Sequence, residues 1–288
     1  MPNIVLRPYP HPSAYRRIAA VAWADPTDPH VYGSMEVRAE PVERWIADLR
    51  ARTGQRVTLT HAMVRALALI YRRHPEINAI VRHGSLQLRE DVDIFVQVVV
   101  EDSEPPPPGE GGKKGIGSTD LSGVKIKRAD QLKAEEICQQ ITERAARIRK
   151  NEDAEFKATK DNTRMIPGFL LGPVLRFLDF LQYSLNVNPS FLGTPADPFG
   201  SAMVTNVGVF GLTRGWAPFF PLARSGVIVT LGAIEERPVV EDGKIVVGRV
   251  LHINGTFDHR IVDGYHAGVI ARELRRLFAS PELLEQDP

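Results

Sequence analysis

Apolar and polar positions along the chain change period several times, and each change marks an element. After an extended, proline-punctuated opening, Ser13 to Ala22 reads as a short helix carrying Arg16 and Arg17, and Asp25 to Tyr32, with two prolines, reads as a loop. Val37 to Val42 marks a change from strand to helix, since Pro41 suits a first helical position, and Val42, Trp45, Ile46 and Leu49 then recur at helical spacing. Thr58 or Thr60 can cap a second helix whose apolar face holds Met63, Val64, Leu67 and Ile70, ending near His74-Pro75. Ile80 to Val81 and Ser85 to Leu88 form a predicted hairpin. Val92 to Val100 is apolar on both faces, as a central strand is.

The pattern breaks over residues 103–123, where PPPPGEGGKKGIGS disfavours both helix and ladder and predicts a flexible surface loop. The phosphate-cradling arrangement GxxxxGK[ST] is absent from it. Lys133 to Lys150 predicts an amphipathic helix with Ile137, Ile141, Ala145 and Ile148 on one stripe. The most apolar stretch, Met165 to Asn188, is interrupted by Gly172, Pro173, Arg176 and Asp179, so it reads as a buried, subunit-facing or surface helix, not a membrane span. The last third is strand-rich. Ala202 to Val207, Gly226 to Ile234 and Val246 to Phe257 are predicted strands, Glu241-Asp242-Gly243-Lys244 has hairpin-turn chemistry, and Tyr265 to Phe278 is a closing helix stopped at Ser280-Pro281. There is no internal repeat.

With 43% apolar and 25% charged residues among 288, the chain has the composition of a folded globular protein. Its 36 basic and 35 acidic residues nearly cancel, so no global field argues for nucleic acid or an anionic membrane as partner. The single cysteine, Cys138, excludes an internal disulfide framework and sits mid-helix in EEICQQI, the setting of a core thiol. No apolar run follows a positive cluster at the N-terminus, so a secretory signal is not expected and the expected location is cytoplasmic.

The candidate chemistry lies in Asp258-His259-Arg260-Ile261-Val262-Asp263-Gly264. A histidine where a long strand gives way to a loop is well placed as a general base, because imidazole changes charge near neutral pH and loops at strand ends aim groups from a rigid scaffold. Asp258, Arg260 and Asp263 flank it as electrostatic supports. His252, His259 and His266 are seven residues apart, which is not a zinc-ligand spacing, so no metal is expected.

NGTFDHRIVDGYHAGVIARELRRLFASPELL resembles the C-terminal segment of dihydrolipoamide acyltransferases, the catalytic domain of 2-oxoacid dehydrogenase acyltransferases, whose HxxxDG motif is shared with chloramphenicol acetyltransferase. DPFGSAMVTNVGVFG resembles a second segment of that family, with Thr205 at the position of the family's serine. HPSAYRRIAAVAWADPTDPHVYGSMEV and THAMVRALALIYRRHPEINAIV resemble its entry helix, first strand and next helix. The resemblance thins between Ser103 and Lys133 and between Phe156 and Pro195; the apolar stretch, at about 160–195, looks like an insertion relative to complex-forming members.

The resemblance implies a single α/β catalytic domain over residues 1–288, an α+β sandwich in which a chloramphenicol acetyltransferase-like mixed sheet is covered by helices, and a homotrimer or a larger cubic or icosahedral cage. It implies acyl transfer between coenzyme A and a thiol or other small acceptor. His259 would be the base, Thr205 the oxyanion donor from a neighbouring subunit, and Asp263 an organiser ion-paired with Arg16 or Arg17. Arg260 and Gly264 would support the turn. No lipoylation-type Asp-Lys-Ala sequence occurs, so a lipoyl group would come from a separate carrier, with dehydrogenase subunits as possible partners. A free-standing acetyltransferase of small hydroxyls or amines, and a scaffold or cage protein with reduced catalysis, are the alternatives the same resemblance allows. The chain's end, ELLEQDP, is polar after Leu284 and favours an isolated trimer over a cage.

Overall fold

The structure is a computed structural model and describes residues 3–8, 29–101, 119–149, 168–192, 194–220 and 222–286. Ser13 to Ala22, with Arg16 and Arg17, lies outside them, as does most of the expected loop at 103–123.

A six-stranded mixed sheet organises the chain. Its strands are β2 (His30–Arg38), β5 (Ile94–Glu101), β6 (Thr119–Ile126), β7 (Ala202–Asn206), β8 (Val227–Glu241) and β9 (Lys244–Asp258), in the order β2-β9-β8-β7-β5-β6. β7 runs parallel to both β5 and β8; the other pairings are antiparallel. β1 (Leu6–Pro8), β4 (Ser85–Arg89) and β3 (Ala79–Arg82) form a separate three-stranded sheet in the order β1-β4-β3.

Four helices supply the larger share of the second layer: α1 (Glu40–Thr53), α2 (Leu59–Arg73), α3 (Ala134–Arg149) and α5 (Gly264–Ala279), while α4 (Gly168–Asp179) belongs to the apolar stretch. α1 starts on acidic Glu40 and Glu43 with Pro41 in its first turn and stops at Gly54, whose φ of 69° is left-handed and whose N–H reaches the Arg50 carbonyl at 2.8 Å. It buries Val42, Trp45, Ile46 and Leu49, the stripe read from the sequence. α2 is capped at Thr58 and is buried along nearly its whole length. These helices meet alternate sheet residues, among them Ile94, Val96, Val204, Val229, Leu231, Leu251 and Ile253, in one hydrophobic core. Cys138 is buried in that core and burial pushes its thiol up, so it is packing, not a nucleophile.

Three readings are corrected. His30 to Tyr32 is not loop: β2 begins at His30, because its backbone pairs with Asp258, Phe257 and Thr256 of β9. Thr119 to Gly123 is not loop either, since it pairs with Glu101 to Gln97 of β5, which places β5 inside the sheet. Neither local sequence offers a strand pattern; the pairing is made by a partner far away in the chain. Within the expected helix at Met165 to Asn188 the described residues form two pieces, α4 and a π-turn at Phe180–Ser184, with Pro173 inside α4, and a 3-10 turn at Pro189–Leu192 follows. Among the described residues no helix is long and apolar enough to cross a membrane.

The β8–β9 hairpin turns at Asp242 and Gly243, both at positive φ (49° and 75°), as a two-residue hairpin requires. Halfway along β8 the register shifts between Leu231 and Ile234. Gly232 lies in that irregularity, and a Cβ there would come within 1.9 Å of the Thr213 carbonyl oxygen, so only glycine lets the 208–213 backbone cross the sheet so closely.

Candidate active site

β9 ends at Asp258, and the next five residues form a tight turn onto α5. The Asp258 carbonyl accepts the N–H groups of Ile261 and Val262 at 2.9 and 2.8 Å, and both of those side chains are buried, which anchors the turn from beneath. The Asp258 carboxylate is taken by Arg260: its backbone N–H and Nε at 3.0 Å and Nη2 at 2.8 Å. This two-pronged pair leaves His259 between its partners, with its backbone N–H on the Pro29 carbonyl at 2.9 Å and the residue half-buried.

Asp263 is the N-cap of α5. Its Oδ1 accepts the His266 N–H at 3.1 Å, and its carboxylate also meets His266 Nδ1. The expected partners Arg16 and Arg17 lie outside the described residues. A Cβ at Gly264 would meet no described atom within 4 Å.

Thr205 lies on β7, half-buried. The turn feeding β7 is held by groups the sequence reading did not single out. Asp197, at φ 39°, pairs with Arg89 of β4, and both are buried; Tyr183 donates its hydroxyl to Asp197 Oδ1 at 3.0 Å, and Lys125 Nζ donates to the Asp197 carbonyl at 2.8 Å. Burial alone would push the Asp197 carboxyl up, but Arg89, Lys125 and the Tyr183 hydroxyl outweigh it and hold it below its ordinary range. Burial raises the Tyr183 phenol well above its ordinary value, so it stays a donor. The signals available in the sequence were a lone Arg in a strand and an Asp before Pro-Phe-Gly; nothing local pairs them across 108 residues.

The sheet register separates the two halves of the candidate site. Thr205 aligns with Thr230, and Thr230 with Asn254, four residues before Asp258 on β9. At about 3.4 Å per residue and about 4.8 Å per strand, Thr205 is about 14 Å along the sheet and about 10 Å across it from Asp258. The structure therefore assembles Asp258, His259, Arg260, Asp263 and Gly264 in one turn and places Thr205 apart from them. Among the described residues no cluster of His, Cys, Asp and Glu suited to a metal ion occurs.

The catalytic-domain model of the 2-oxoacid dehydrogenases acyltransferase family matches residues 16–163 and 198–285, passing over the apolar stretch. The chain is 23% identical over 233 residues to the dihydrolipoyllysine-residue acetyltransferase component of the acetoin cleaving system of Bacillus subtilis, covering 81% of this chain and 44% of that protein. It is 34% identical over 82 residues to the acetyltransferase component of the pyruvate dehydrogenase complex of Zymomonas mobilis, 28% of this chain and 18% of that one. The matched stretches thus span less than half of either relative. Among solved structures, a probable dihydrolipoamide acetyltransferase from Listeria monocytogenes superposes with a TM-score of 0.61 over 97% of this chain and 96% of that one, at 18% identity. The cubic core of the pyruvate dehydrogenase multienzyme complex gives 0.62 over 89% and 84% at 16% identity, and chloramphenicol acetyltransferase 0.51 over 95% and 100% at 13%. The mixed sheet and its helices are the fold of these structures, and the chain belongs to the catalytic-domain family of the 2-oxoacid dehydrogenase acyltransferases.

Proposed function

We propose that the chain is a coenzyme A-dependent acyltransferase whose active site is shared between two copies of a trimer, with His259 from one and Thr205 from the next. The observation that carries this reading is the separation of the two residues within one chain: a base and an oxyanion donor serving one carbonyl must both lie within hydrogen-bond reach of the reacting group. A second copy supplies what the first lacks. In support, a crystallographic and enzymatic investigation of Azotobacter vinelandii dihydrolipoamide acetyltransferase concerns the role of a serine, a histidine and an asparagine in its catalytic mechanism, the last two four residues apart, as are His259 and Asp263 here.

In the forward direction the His259 imidazole removes the proton of the acceptor, a dihydrolipoyl thiol or another small nucleophile. The acceptor attacks the thioester carbonyl of acyl-coenzyme A, and the Thr205 hydroxyl donates to the tetrahedral oxyanion. Collapse breaks the carbon–sulfur bond, and the protonated His259 returns its proton to the departing coenzyme A thiolate. The Asp258–Arg260 pair and the Asp263 cap hold the turn, so the imidazole does not pay for its own positioning at each turnover.

The experiment is complementation. His259→Ala and Thr205→Ala are each assayed for acyl transfer from acetyl-coenzyme A to dihydrolipoamide and to small hydroxylated acceptors, then unfolded together and refolded as mixed trimers. A shared site predicts that random mixing restores about a quarter of wild-type turnover, because one interface in four then carries both intact residues. Mixed trimers as inactive as their parents overturn the shared site. Coenzyme A binding by calorimetry, if absent from the wild type, instead supports a scaffold that keeps the fold without the chemistry.

A further inference from the structure

On the sheet face opposite the helices, the registers align one polar residue from each of four consecutive strands: Ser34 on β2, Asn254 on β9, Thr230 on β8 and Thr205 on β7. Residues directly opposite one another in neighbouring strands share a face, and the Ser34 hydroxyl confirms it by donating to Asn254 Oδ1 at 2.9 Å. Asn254 and Thr230 are 0% and 1% exposed, yet among the described residues Asn254 Nδ2 and Thr230 Oγ1 have no hydrogen-bond partner. Buried polar groups are nearly always paired, so two orphans side by side call for a reason.

The segment that crosses this face supplies the roof. Thr256 Oγ1 donates to the Ala217 carbonyl at 2.8 Å, Trp216 Nε1 to the Gly33 carbonyl at 3.0 Å, and the Ala233 N–H to the Leu212 carbonyl at 2.9 Å. Beneath it the row runs from edge strand β2 inward and reaches half-buried Thr205.

We propose that Asn254, held by Ser34, positions the Thr205 hydroxyl through Thr230; the proposal rests on the reading of Thr205 as oxyanion donor. A threonine hydroxyl has one proton and rotates. To aim that proton at an oxyanion, its lone pairs must accept from elsewhere. Ser34 occupies the Asn254 carbonyl oxygen, which leaves the amide N–H2 as the end facing Thr230. Donation then runs one way: Ser34 to Asn254, Asn254 to Thr230, Thr230 to Thr205, and Thr205 outward. An ordered water bridges each gap that the strand spacing of about 4.8 Å leaves too wide for a direct bond. Successive donation in a buried, low-dielectric environment strengthens the last donor, the one that meets the substrate.

The test is a mutant cycle on the full chain, with acetyl-coenzyme A and dihydrolipoamide. Asn254→Asp keeps the side chain's shape but removes its donor, and Thr230→Val removes only the hydroxyl. Each is expected to lower kcat about tenfold with KM for acetyl-coenzyme A unchanged. Thr230→Ser is expected to restore it, and neither substitution should cost anything further in a Thr205→Ala background. Equal losses with and without the Thr205 hydroxyl, or an effect on KM alone, overturn the proposal. A second readout needs no activity: melting temperatures of Thr230→Val, Thr205→Val and the double variant. Non-additive shifts are expected of a connected row, and additive shifts overturn it. Wild-type protein that transfers no acyl group overturns the acyltransferase reading, and the melting cycle then decides the row by itself.

Discussion

Arg89 and Asp197 lie 108 residues apart in sequence and meet as a buried ion pair, with Arg89 Nη2 on Asp197 Oδ1 at 3.2 Å and a second, shorter contact from Nη1 to Oδ2. The pair ties β4, in the small sheet, to the turn that launches β7. Removing one partner strands the other charge in the interior, so Arg89→Met is expected to cost about 3–5 kcal/mol of stability. The pair also sets an acid limit. The Asp197 carboxyl is held below its ordinary 3.8, so its contribution is complete above that value and is lost as pH falls through the lower folded value. Urea unfolding of Asp197→Asn across that range is expected to show a shallower acid decline than wild type, and an identical decline would exclude the pair as its source.

His61 imposes a second pH dependence at milder values. Its Nδ1 accepts the Thr58 N–H at 3.0 Å at the start of α2, and burial is the main cause that lowers its pKa from 6.5 to about 4. The unfolded chain therefore binds a proton between those values that the folded chain refuses. Stability is full above 6.5 and declines as pH falls toward 4. In His61→Gln that portion of the decline should vanish; melting temperatures between pH 7 and pH 4 make the comparison.

Arg65 is a buried cation whose hydrogen bonds among the described residues include no carboxylate. Its guanidinium donates to the carbonyls of Leu284, Leu132 and Gln286 at 3.0, 2.7 and 2.5 Å, pinning the segment after α5 and the segment before α3 to α2. Burial lowers its pKa from the usual arginine value. Arg65→Leu fills the space but leaves three carbonyls unpaired, for an expected loss of about 3 kcal/mol. Limited proteolysis should then release the C-terminal residues first, and a resistant C-terminus would show that the arginine is dispensable.

Thr205 separates hydroxyl chemistry from packing. On the proposed mechanism Thr205→Ala lowers kcat about 10²–10³-fold, the usual worth of one oxyanion donor, while Thr205→Ser retains turnover. Steady-state kinetics on both variants check this, and equal losses would remove the residue from the reaction.

The elements legible in the sequence were those with a strong local period or punctuation. The stripe of Val42, Trp45, Ile46 and Leu49 and the Asp242-Gly243 turn stand where the pattern put them, and the cap falls on Thr58, one of the two threonines the pattern offered, because each depends on neighbours a few residues away. His30 to Tyr32 and Thr119 to Gly123 were misread as loop, since their strand character comes from pairing with β9 and β5. The apolar stretch showed its composition but not its break at the π-turn, where Arg82 takes the carbonyls of Tyr183 and Ser184 at 3.0 and 2.9 Å.

By itself the sequence determined the family and the turn from Asp258 to Gly264, because the turn is contiguous and its hydrogen bonds close within a few residues. Only the tertiary structure decided that Thr205 stands far from His259 in the same chain, that Asp197 is buried on Arg89, and that Ser34, Asn254, Thr230 and Thr205 fall in one row. Strand order and register set those distances, and they arise from backbone pairing between segments that carry no local record of their partners.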